Sequence, residues 1–114
     1  MDARGVERLL DKTYGMADTA AAAGAKTIEG IARDARLPDA VKMKLIPLYR
    51  EESLRRALNY AGLGLAVCRA VEKELDDDAA RARLEFYRSG LAAIYTQTQD
   101  ALREFAGSRA LEPQ

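Results

Sequence analysis

"AARARLEFYRSGLAAIYTQTQDALREFA", residues 79–106, is the stretch that decides the fold. Ala80, Leu84, Tyr87, Leu91, Ile94, Thr98, Ala101 and Phe105 recur at alternating spacings of four and three. At 3.6 residues per turn those positions form one seam on a helix, the pattern of heptad packing. A helix with such a seam needs other helices to cover it. Gly107 follows as a C-terminal stop, and residues 108–114 are expected to form a flexible tail beyond a single domain spanning 1–107.

Upstream lies "DDD", Asp76–Asp78, whose carboxylates suit the free amides at a helix start. A calcium loop needs spaced ligands and a glycine, and the triplet has neither. The preceding helix is predicted from Pro47 to Leu75, with Glu51/Arg55 and Glu52/Arg56 as i,i+4 pairs on its solvent side. Pro38 and Pro47 bracket "RLPDAVKMKLIPLY", residues 36–49, and each disfavours helical geometry in the residue before it. A short linking helix over 40–46 is therefore predicted. The first helix is predicted from Asp2 to about Arg36, because Val6, Leu10, Thr13, Ala17, Ala20, Gly24, Ile28, Ile31 and Ala35 repeat at three and four.

The expected fold is all-α: an antiparallel bundle of three long helices plus a short linking helix, completed by dimerisation. Two features bear on how the bundle packs and assembles. Between Ala57 and Val71 only Asn59 and Arg69 are strongly polar, so the middle helix is apolar around most of its circumference, more than two neighbours can hide. Contact with a partner protein or a second copy is expected through Tyr60, Leu63, Gly64, Val67 and Ala70, with Gly62 and Ala66 beside them. Symmetric dimers are the commonest assembly.

Small residues are the second feature. "AAAAGA" at 20–25, "ALNYAGLG" at 57–64 and "SGLAA" at 89–93 are predicted to share one level if the helices run up, down and up. Close packing is the favoured reading, since a glycine inside a helix costs about 0.5–1 kcal/mol against alanine and is retained for contact. The alternative is a small-molecule pocket at Ala21, Gly24, Ala61, Gly90 and Tyr95, making the chain a carrier or sensor of a small apolar ligand.

Chemistry has few carriers here. Histidine is absent, which removes the commonest neutral-pH base and metal ligand. Cys68 sits among Leu65, Val67 and Val71, where a thiolate is disfavoured and no histidine can activate it. No disulfide is possible with one cysteine, and a reducing, cytoplasmic setting fits. No catalytic residue, metal or cofactor is expected, and no uncharged run reaches the roughly 20 residues of a membrane span.

Lys+Arg 18 against Asp+Glu 18 leaves no net field for nucleic acid. A third reading, an RNA-binding accessory subunit, would have to use local arginine faces: Arg4, Arg8 and Lys12 on the first helix, and Arg55, Arg56, Arg81 and Arg88 elsewhere. The favoured expectation is a non-enzymatic interaction, scaffold or regulatory module that works through apolar helix contacts. No residue pattern ties the chain to a known family.

Overall fold

A computed structural model of the chain describes residues 1–111, with side chains through Gly107. It is all-α, with three long helices and no strand among the described residues: α1 (Ala3–Arg33), α2 (Asp39–Val71) and α3 (Asp78–Leu111), with a single 3-10 turn, Glu72–Glu74, after α2. Asp2 caps α1 by accepting the Gly5 amide at 2.8 Å, and Asp77 accepts the Ala80 amide at 2.8 Å at the start of α3. These are the free amides that carboxylates near a helix N-terminus satisfy. Each aspartate of the triplet thus has local work, since Asp76 pairs with the Met1 amino group and Asp78 with Arg81.

Contacts ascend together along α1 and α3. Glu7 pairs with Arg83, the Tyr87 hydroxyl donates to Asp11 at 3.1 Å, and Tyr14 lies on Gly90. Against α2 the order reverses, with Met1 beside Glu74 and Gly24 on Ser53 in α1, and Gly64 on Leu91 and Gly62 beside Tyr95 in α3. The predicted seams do the packing. Val6, Leu10 and Ala17 of α1, Ala57, Ala61 and Cys68 of α2, and Ala80, Leu84, Tyr87 and Leu91 of α3 are buried. Full burial of side chains the size of Leu10 and Leu91 stabilises by about 1.5–3 kcal/mol each. Thr98 is buried within the α3 seam because its hydroxyl donates to the carbonyls of Ile94 and Tyr95, at 2.7 and 3.1 Å.

The linking helix predicted over 40–46 is not separate. Asp39 to Val71 is one helix with Pro47 inside it. Pro38, not Asp39, is the cap, and its carbonyl accepts the amides of Val41 and Lys42 at 3.0 and 3.1 Å. Pro47 removes one backbone donor, but it lies on a turn flanked by the exposed Met43 and Leu48, where water can reach the freed carbonyl. The first helix stops at Arg33 rather than Arg36. Asp34 turns the chain there, accepting from the Arg36 amide at 3.0 Å and pairing with its guanidinium, which holds the Asp34 carboxyl below its usual value. Lys42 then donates to the Ala32 carbonyl at 3.0 Å, satisfying an acceptor at the end of α1. At the other terminus α3 passes through Gly107 to Leu111, so 108–111 are helical. Residues 112–114 of the expected tail lie outside the described residues.

The Cα envelope measures 57 × 29 × 14 Å, a flattened rod with an uneven core. Among the residues whose side chains are described, every buried one lies between the Met1 end and the level of Gly24, Ala57 and Thr98. Past that level Ile28, Ile31, Leu45, Ile46, Leu54, Leu102 and Phe105 are only half-buried, and Val41, Met43, Leu48 and Tyr49 are exposed. One end of the molecule is closed and the other is open.

Candidate functional site

The outer flank of the α1–α2 seam, away from α3, keeps large apolar side chains in solvent. Leu63 is 56% exposed and Leu48 61%; Leu9 and Met16 of α1 are 40% and 38% exposed. Tyr60 and Val67 are half-buried beside them, packed on the core by one edge. A groove runs along this flank, floored on the α1 side by small residues, Gly15, Thr19, Ala20 and Ala23, and walled on the α2 side by Tyr49, Glu52, Arg56 and Tyr60. The physical origin is simple. Small α1 side chains let the two helices approach closely, and the bulky α2 side chains then stand above them as a rim.

The seven residues predicted for contact divide between two sides of α2. Leu63, Ala66 and Ala70 are exposed, and Tyr60 and Val67 are half-buried on the same flank. Gly64 is not available to a partner. A Cβ built there would lie 2.6 Å from Leu91 Cδ1, so Gly64 is spent on close approach to α3. Gly62 also faces α3, where a Cβ would meet the Tyr95 ring at an ordinary 3.5 Å.

The five residues predicted to line a pocket are not brought together. The predicted level is offset by about two helical turns, so Tyr14 rather than Ala21–Ala23 stands opposite Gly90. The cause is the longer α2: its start at Asp39 rather than Pro47 shifts the first helix along the other two. Ala21 is exposed, Gly24 is buried against Ser53, Ala61 is buried in the core, and Tyr95 is half-buried beside Gly62. The space over Gly90 is filled by the Tyr14 ring.

No protein-family model matches the chain, and no curated protein or solved structure matches it significantly. The site must be read from its own chemistry.

Titratable groups add little reactivity. Burial pushes the Cys68 thiol above its ordinary value, which keeps it protonated and inert. Four arginines of the proposed RNA faces are already paired: Arg55 with Glu51 at 2.9 Å, Arg56 with Glu52 at 3.0 Å, Arg81 with Asp78 at 3.1 Å and Arg88 with Glu72 at 3.0 Å. Those partners cancel much of the field that a phosphate backbone would feel. Among the described residues no three His, Cys, Asp or Glu side chains group as a metal site, and no helix is long and apolar enough to cross a membrane.

Leu9, Met16, Ala20, Ala23, Leu48 and Tyr49 belong to the open flank although the sequence pattern did not mark them for contact. A signal existed for two of them. Leu9 and Met16 are spaced by seven and sit outside the Val6–Leu10–Ala17 seam, so a second apolar line ran beside the core line of α1.

Proposed function

We propose that this chain is a non-enzymatic interaction module whose open α1–α2 flank is a contact surface, and that its first partner is a second copy of itself. The exposure of Leu63, one turn along α2 from the groove-lining Tyr60, together with that of Leu9 and Met16 on α1, carries this reading. Apolar side chains collected on one flank of a small bundle lose solvent when a further helix lies in the groove, at about 25 cal/mol per Å² removed from water. An antiparallel bundle of two α1–α2 hairpins would supply that cover, which fits the reversed contact order of α1 and α2. The buried, protonated Cys68 supports a role without chemistry of its own, and a single cysteine with no internal disulfide fits a cytoplasmic setting.

Leu63→Asp tests the reading. The side chain touches solvent, so the charge should leave helicity and thermal stability nearly unchanged while lowering the sedimenting mass at a given concentration. A variant that sediments like the wild type would contradict the proposal.

A further inference from the structure

On the side of α2 away from the α1–α2 groove, a cleft of about 500 Å³ opens between α2 and α3. Its walls are Gly62, Leu65 and Arg69 of α2 and Arg88 and Tyr95 of α3. The Tyr95 ring lies beside Gly62. Arg69 stands seven residues after Gly62 and Arg88 seven before Tyr95, and since the two helices pass in opposite senses, both arginines fall at one end. At about 1.5 Å per helical residue the cleft is about 10 Å long, with guanidinium groups at one end, a phenol ring at the other and Leu65 between.

The two arginines differ. Arg88 is held by Glu72 at 3.0 Å and by Glu85 at 3.2 Å, and both carboxylates line the neighbouring cleft beyond it rather than this one. Its charge is answered within the chain. Arg69 is exposed and has no ion pair or hydrogen-bond partner among the described residues, so its planar fork is open to a ligand. Gly62 is a second and independent sign. A glycine inside a helix costs about 0.5–1 kcal/mol against alanine, and Gly64 and Gly90 are needed because Leu91 and Tyr14 occupy the space a Cβ would take. At Gly62 a Cβ would meet Tyr95 at an ordinary 3.5 Å, so contact within the chain does not demand glycine there. A larger side chain at this position would enter the cleft.

We infer that the cleft binds a small amphipathic carboxylate, its head on Arg69 and its apolar body running along Leu65 and over Gly62 to the Tyr95 ring. A concave, mainly apolar site with a few placed polar groups is the usual form of a small-molecule pocket. A carboxylate takes two parallel hydrogen bonds from one guanidinium. Glu72 and Glu85, beyond Arg88, disfavour a second negative charge, so a monoanion fits better than a phosphate. The site lies on a different flank from the proposed contact surface and does not depend on self-association.

Decanoate, whose chain is close to the cleft in length, is the probe, titrated by calorimetry and followed by amide NMR shifts. The wild type should bind one decanoate per chain, with shifts centred on Gly62, Arg69 and Tyr95. Arg69→Gln changes an exposed side chain and should weaken binding about tenfold, the loss expected for one charge-assisted contact. Gly62→Leu should abolish binding by filling the cleft, and circular dichroism checks that the chain stays helical; should it unfold, Arg69→Gln alone decides. Leu63→Asp, on the other flank, should bind as the wild type does. Decanol, with the same body and no charge, should bind more weakly than decanoate, and equal binding would overturn the anionic head. An Arg69→Gln chain that binds as tightly as the wild type, or loss on Leu63→Asp in its place, would overturn the site. So would a wild type that takes up no decanoate.

Discussion

Tyr14 of α1 lays its ring over Gly90 of α3, so closely that a Cβ on Gly90 would collide with Tyr14 Cε2. The same ring meets Tyr87 edge to face at 5.9 Å between centroids, and the Tyr87 hydroxyl donates to Asp11. On the other side of α3, Leu91 occupies the space over Gly64. These contacts lock α3 to both neighbours through the closed half of the molecule. Small residues there serve the chain's own core, whereas along the α1–α2 groove they form the floor beneath a rim of larger side chains.

Substituting glycines should therefore separate packing from propensity. Gly90→Ala gains helix propensity of about 1 kcal/mol but must displace the Tyr14 ring, an overpacking cost of about 1–3 kcal/mol, so a net loss of about 1 kcal/mol is expected. Gly30→Ala meets nothing within 4 Å and should gain about 0.5–1 kcal/mol. Urea unfolding of both variants checks the opposite signs.

Tyr87 sets an alkaline limit. Burial, with the hydrogen bond to Asp11 and that carboxylate's charge, raises its phenol above the ordinary 10.0. A raised folded value favours the protonated fold, so this contribution is complete below pH 10 and fades as pH climbs through the higher folded value. Tyr87→Phe should cost about 1 kcal/mol at neutral pH through the lost hydrogen bond, and should flatten the alkaline decline. Thermal melts from pH 8 to 11 would show a parallel decline in both proteins if the phenol had no such part.

Cys68 should report on opening of the closed half. It is fully buried among the three helices, and its thiol is held protonated. Modification by a thiol reagent at pH 8 should be slow in the folded protein, rise with urea along the unfolding curve, and be complete once the chain unfolds. Rapid labelling without urea would show that the helices part locally at Cys68.

Much of this was legible in the chain. The α3 line from Ala80 to Leu91, together with Thr98, is buried as its spacing demands, and Ile94, Ala101 and Phe105 follow it half-buried. Asp2 and the Asp76–Asp78 triplet work at the helix starts where carboxylates belong. Pro47 misled because a proline rule weighs only the local backbone; its turn is exposed enough to lose a hydrogen bond to water, and α2 runs through it. That one difference moved the register. Gly64, expected at a partner contact, and Gly90, expected in a pocket, are instead close-approach positions filled by Leu91 and Tyr14, because small-residue spacing does not say which neighbour arrives. The apolar excess of α2 was legible as well. Its position was not, since only the packed helices show that Tyr60 lines a groove with Met16 of α1.

The claim on which the functional account stands is that this flank is covered in solution by a second copy. Light scattering on the wild-type protein, from micromolar to millimolar concentration, tests it most directly. The account predicts a mass that climbs from one chain to two and levels off there. A mass that stays at one chain across the whole range would contradict it.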